Sequence, residues 1–179
     1  MNFKLQLIIL FSCLACAISG CTPKEGDATR DSLISANLIQ IRDSEYNEVR
    51  IRFTNHDQLN GIRLLKPLDG SLCNWIMPHY DFSVDHDGEA IAISSRCGVF
   101  GHPWMGTTWP GDYIIDLASG ESHEEVVNLP HDISEPGEYL VSFSYTFEID
   151  DGDTTPGGPY PENLWQGTVA AKSVKMNLK

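Results

Sequence analysis

Beyond its first twenty residues the chain has no second apolar run long enough to cross a bilayer, and no apolar stripe at helical spacing longer than two turns. Spanning the hydrocarbon takes about 20 consecutive apolar residues, so no transmembrane helix is expected there. Positive charge is also scarce: 12 Lys and Arg stand against 25 Asp and Glu, a net charge of −13. Such a surface repels nucleic acid and anionic lipid headgroups, which excludes both as partners, and suits a solvated body that meets cations or basic groups. Catalytic signatures are missing as well. No serine sits in a GxSxG elbow. His123-Glu124-Glu125-Val126-Val127 begins like the HExxH helix of zinc peptidases but carries Val127 where the second imidazole belongs. The six histidines, at positions 56, 79, 86, 102, 123 and 131, show no metal-binding spacing. No catalytic residue, metal or cofactor is therefore assigned, and a non-enzymatic role is expected.

What is present begins with an address. Lys4 precedes the uncharged run LQLIILFSCLACA, residues 5–17, and Ile18-Ser19-Gly20-Cys21 follows. About 13 apolar residues are too few for a permanent span but suit the core of a cleaved export signal. The tetrapeptide ISGC resembles the lipobox of bacterial lipoproteins: an aliphatic residue, two small ones and a cysteine. The resemblance implies diacylglycerol on the Cys21 sulfur, cleavage before Cys21 and palmitate-type acylation of the new amino group. Two or three acyl chains hold firmly where one binds only marginally, so the membrane would be reached through lipid on Cys21. Thr22 follows, where an Asp would resemble the inner-membrane retention signal of enteric bacteria. The expected location is thus the cell envelope, periplasmic or surface-exposed, with the outer membrane favoured. Residues 1–20 read as the signal peptide, 21–35 as a polar tether and 36–179 as one folded domain.

Cleavage removes Lys4 and leaves 11 basic against 25 acidic residues. It also removes Cys13 and Cys16, and lipid consumes Cys21. Of the five cysteines, Cys73 and Cys97 remain, an even pair in an oxidising compartment. A disulfide between them would close a loop of about 25 residues, worth roughly 3.5 kcal/mol of chain entropy. A two-cysteine metal site is the rival, without a neighbouring Cys or His to complete it.

Alternation with period two dominates the mature chain and predicts strands. Val49, Ile51 and Phe53 alternate with Arg50, Arg52 and Thr54. Tyr139, Val141, Phe143, Tyr145 and Phe147 alternate with Leu140, Ser142, Ser144 and Thr146, and Val174, Met176 and Leu178 close the chain in the same way. Shorter candidates fall at 38–42, 61–65, 79–84, 89–94, 113–117 and 123–129. Asn60-Gly61, Asp69-Gly70, Asp87-Gly88, Pro110-Gly111, Ser119-Gly120 and Pro136-Gly137 separate them and are expected to supply positive φ. Nine short strands with such turns predict an all-β fold, an antiparallel two-sheet immunoglobulin-like sandwich. Tyr139, just after Pro136-Gly137, is placed to pin a corner of it through its hydroxyl, as the tyrosine corner does.

Two long interruptions, 97–110 and 148–164, carry most of the loop aromatics. Trp104, Trp109, Tyr160 and Trp165 lie in or beside them, and Trp75 lies in or beside another predicted loop. Together they would make a platform for a sugar ring or a peptide; the alternative is that they cover the open ends of the sandwich. The acidic runs at 85–89 and 150–153 lack the spacing of an EF-hand loop and read as solvated hairpin tips.

From Val49 to Leu178 the order of elements is VRIRFTN, RLLKPLDG, YDFSVDHDGEAIAI, DYIIDLASGES, PGEYLVSFSYTF and LWQGTVAAKSVKMNL. This resembles the β-sandwich that precedes the catalytic domain of deuterolysin-type metalloendopeptidases, and uncharacterised bacterial lipoproteins built from such a module alone. The Cys73/Cys97 pair and the Trp-rich loop depart from the pattern, and no catalytic residue falls within it. The resemblance implies a sandwich, and by analogy an inhibitor or chaperone of a secreted metalloprotease. Three roles follow from the sequence: a non-catalytic module binding a protein or glycan of the envelope; that inhibitor or chaperone; and a metal-dependent hydrolase built from His79, His102 and loop carboxylates.

Overall fold

A computed structural model describes residues 33–42, 44–68, 70–94, 109, 111–149 and 160–179. Cys21, Cys97, His102 and Trp104 lie outside these residues. The fold is all β, with antiparallel sheets not closed into a barrel. Nine strands are described: β1 (Ile34–Gln40), β2 (Glu48–Asn55), β3 (Ile62–Leu65), β4 (His79–His86), β5 (Glu89–Ala90), β6 (Ile114–Leu117), β7 (Ser122–Asn128), β8 (Gly137–Phe147) and β9 (Gly167–Leu178).

Hydrogen bonding divides them into three groups, β1-β2-β7, β3-β6 and β5-β4-β8-β9. The four-stranded sheet forms one layer, and the two smaller groups face it. Aromatic rings join the layers. Phe53 of β2 meets Tyr80, Phe143 and Tyr145 edge-on, with ring centroids 6.3, 6.2 and 5.6 Å away. Such contacts add about 0.5–1.5 kcal/mol each beyond the burial of area. Tyr80 and Tyr145, directly opposite on β4 and β8, hold β3 by its backbone. The Tyr80 hydroxyl donates to the Leu65 carbonyl, and the Leu65 N–H donates to the Tyr145 oxygen, each at 3.4 Å. Burial pushes both phenol pKa values up, so both hydroxyls keep their protons.

The alternation in β2 and β8 is realised: Val49, Ile51 and Phe53, and every second residue from Tyr139 to Phe147, are buried. Three expectations need correction. The sandwich begins two residues before the expected boundary, because Ile34 starts β1 and is only 2% exposed; residues 34 and 35 are not tether. Strand β9 begins at Gly167, well before Val174. A bulge opposite Val141 to Phe143 reverses its parity, so the buried set runs Val169, Ala171 and then Met176, Leu178. The third concerns turns. Asp87 (φ 50°) and Gly88 (φ 85°) make the tight β4–β5 hairpin as expected, whereas Gly61, Gly111 and Gly137 turn without positive φ.

Side chains close the seams that backbone pairing leaves open. The Tyr139 hydroxyl donates to the Glu135 carbonyl at 2.6 Å, which fixes the entry into β8 as the sequence suggested. Asn55 is fully buried: its amide nitrogen donates to the carbonyls of Asn60, Leu117 and Ala118 at 2.9, 3.2 and 3.1 Å, and its oxygen accepts the Asp57 N–H at 2.8 Å. Two further amides clasp the outer edge of β9. Gln40 donates to the Asn177 carbonyl and accepts its N–H at 3.2 Å. Asn47 does the same to Lys179, at 2.6 and 2.7 Å.

Candidate functional site

The β1-β2-β7 register sets up two ends. Ile34 pairs Asn55 and Thr54 pairs Ser122 at one; Gln40 pairs Val49 and Glu48 pairs Asn128 at the other. At the second end lies a cavity of about 700 Å³, walled by residues 45–47 before β2, by Leu68, Gly70 and Leu72, by Ser94, by residues 128–134 at and after the end of β7, and by Lys179. Its volume is that of an ordinary small-molecule site.

The chain builds this cavity by keeping the stretch after β7 extended. Leu129 donates its N–H to the Asn47 carbonyl at 2.9 Å, and His131 forms a bridge with Ile93. Pro130 lacks an N–H and cannot continue the ladder, so the chain leaves the sheet there. Leu68 and Leu129, both buried, give the cavity apolar wall, while Glu45, Tyr46 and Asp132 stand at its exposed side. Tyr46 is 68% exposed. His131 is only 7% exposed, and its Nδ1 is enclosed with no hydrogen-bond partner. An unsatisfied buried polar atom costs about 1–3 kcal/mol. Burial also lowers the His131 pKa, against a smaller opposing pull from the Asp132 carboxylate, so the ring is neutral near pH 7.

The chain matches no family model and no curated protein. Its chemistry must be read from its own residues.

The aromatic residues expected to form a platform are placed differently from one another. Trp109 stacks on Tyr160 (centroids 5.4 Å, 21° between planes), and Tyr160 meets buried Phe147 edge-on at 5.2 Å. The Trp165 ring lies 6.1 Å from that of Tyr145, and the Trp165 backbone N–H donates to the Arg63 carbonyl at 2.8 Å. These three pack against the core. Trp75 is 60% exposed, and none of the four lines the cavity. The structure thus brings Trp109 and Tyr160 together as a cover, and Trp104 falls outside the described residues.

Cys73 ends a 3-10 turn, Ser71–Cys73, next to Leu72 in the cavity wall. The segment resembling HExxH is strand β7, not a helix. There Glu124 is bound by Arg52 at 2.8 Å, which holds its carboxyl below the ordinary range, and Glu125 accepts from His123 at 3.0 Å. His79 starts β4 and does not line the cavity. Among the described residues no group of three His, Cys, Asp or Glu side chains is placed to hold a metal ion, and no helix is long and apolar enough to cross a membrane.

Sequence reasoning missed Tyr46, His131 and Asp132 as a group. Tyr46 is more than eighty residues from the other two in sequence, and the two segments carry no shared motif. The one local sign was a histidine directly after Pro130, at the end of an alternating segment.

Proposed function

We propose that the protein is an exported lipoprotein, acylated on Cys21, cleaved before it and anchored to the cell envelope. In this reading its sandwich is a non-catalytic binding module with the His131 cavity as its site. The observation that carries the binding role is that cavity: about 700 Å³, with a neutral, nine-tenths buried imidazole whose Nδ1 has no partner. The ISGC sequence after an uncharged run supports the anchor. The position of the cavity agrees with tethering. The chain enters β1 at Ile34, and the cavity lies at the other end of the seven-residue ladder, about 20 Å along the strands. A ligand site in a tethered body is most accessible when it lies away from the attachment point. The Cys73–Cys97 disulfide belongs to the same proposal, since export supplies the oxidant.

Expression with radioactive palmitate tests the address. Label is expected on the parent and absent from Cys21→Ala, which should accumulate uncleaved. Unlabelled parent in the cytoplasm would remove the anchor, the export and the crosslink together. A second reading, inhibition or chaperoning of a secreted metalloprotease, is supported by the elements VRIRFTN through KMNL, which form β2 to β9. Slowed substrate cleavage by a deuterolysin-type peptidase on adding this protein would favour it.

A further inference from the structure

We infer that the cavity beside His131 takes a small organic cation, an amine or quaternary ammonium, with Glu45, Tyr46, His131 and Asp132 as its contacts. This rests on the binding reading above and gives it a ligand class.

The electrostatics of the lining decide the sign. Glu45 and Asp132 bring two carboxylates, against the single ammonium of Lys179. That ammonium is already turned to the Ser44 carbonyl at 2.8 Å. The whole chain carries −13, which raises the local concentration of cations and depletes anions. Phosphates, sulfates and acidic sugars are therefore disfavoured.

The remaining groups suit an ammonium more than a neutral ligand. Tyr46 presents an exposed ring at the mouth, and a cation over an aromatic face gains about 0.5–2 kcal/mol according to how far it is desolvated. His131 stays neutral inside the wall, so it adds no repulsion. Leu68 and Leu129 offer apolar surface to the methylene or methyl groups that flank the charge. A protonated imidazole in this place would repel the ligand, so affinity falls with pH below neutrality.

The test uses the full lipidated protein in detergent micelles, titrated calorimetrically with spermidine and with choline. Cellobiose serves as a neutral control, and the His131 ring nitrogens are followed by 15N NMR. Saturable one-to-one binding of spermidine or choline is expected, weakened about tenfold or more by Asp132→Asn, Glu45→Gln or Tyr46→Ala, and accompanied by a shift of the His131 signals. All three substitutions are at exposed side chains, so folding is retained. Cellobiose that binds and shifts His131 while the cations do not would leave the site standing and overturn the ligand class. Cation binding unmoved by the three substitutions, or no effect of any probe on His131, would overturn the site itself. Palmitate label on the same preparation reports the anchor independently of either result.

Discussion

Replacing Asn55 by aspartate exchanges one side-chain nitrogen for oxygen where that nitrogen faces three carbonyl groups, those of Asn60, Leu117 and Ala118. The parent amide ties the end of β2 to the β2–β3 and β6–β7 connections, and its own oxygen accepts from Asp57. At about 1 kcal/mol for each net hydrogen bond, Asn55→Ala should cost about 2–3 kcal/mol. For a domain of this size that lowers Tm by ~4–12 °C. Asn55→Asp should cost more at pH 7, about 3–5 kcal/mol, because a buried carboxylate would face only acceptors on the nitrogen side. The pH dependence gives the sharper test. That carboxyl would have a pKa raised above its unfolded value of about 3.9, so between the two values the folded state holds the extra proton. The penalty is then full above the folded pKa and shrinks as pH falls toward ~4. Urea unfolding followed by tryptophan fluorescence at pH 4, 5.5 and 7 measures it for the parent, Asn55→Ala and Asn55→Asp. Equal stability of the two variants at pH 7, or a parent-like Asn55→Ala, would refute the role given to this amide.

Tyr139→Phe deletes the 2.6 Å bond to Glu135 and keeps the ring, so a loss of about 1 kcal/mol in urea unfolding is expected. Gly88→Ala meets no atom within 4 Å but must adopt φ 85°; a destabilisation of about 1–2 kcal/mol by thermal unfolding checks the turn geometry. The burial-lowered His131 pKa means that the unfolded chain takes up its proton first as pH falls through about 6.5. Stability is therefore lost from there down toward the folded value, and His131→Leu should flatten that part of the pH–stability curve.

Strands with one wet and one buried face were readable because the side-chain period and the burial period coincide. In β8 the predicted inward set, Tyr139 to Phe147, is the buried set without exception. The first half of β9 was not readable, since its bulge places two residues where the pattern expects one, and Ala171 and Met176 no longer share a parity. Ile34 was assigned to the tether because it follows a polar stretch and precedes a single weak alternation. Only its partner Asn55, across the β1–β2 ladder, shows where it belongs. Trp109 and Tyr160 were legible as large loop aromatics but not as core cover, because their stacking depends on a partner fifty residues away. The cavity had no linear signature at all. It is formed by the backbone departing from the sheet after Leu129, and a histidine becomes notable there only once its surroundings are known.

The clasp on β9 has a consequence for what the chain can tolerate. A carboxamide that grips another residue by its peptide N–H and C=O is blind to the side chain of the residue it holds. As far as this grip is concerned, positions 177 and 179 can take almost any type but proline, though the Lys179 ammonium has its own bond to the Ser44 carbonyl, while Gln40 and Asn47 are fixed by it. Glutamate at 40 or aspartate at 47 would keep the shape but lose the donor, leaving half a grip. Two short polar residues more than a hundred positions upstream therefore carry the constraint that a conventional strand partner would have imposed.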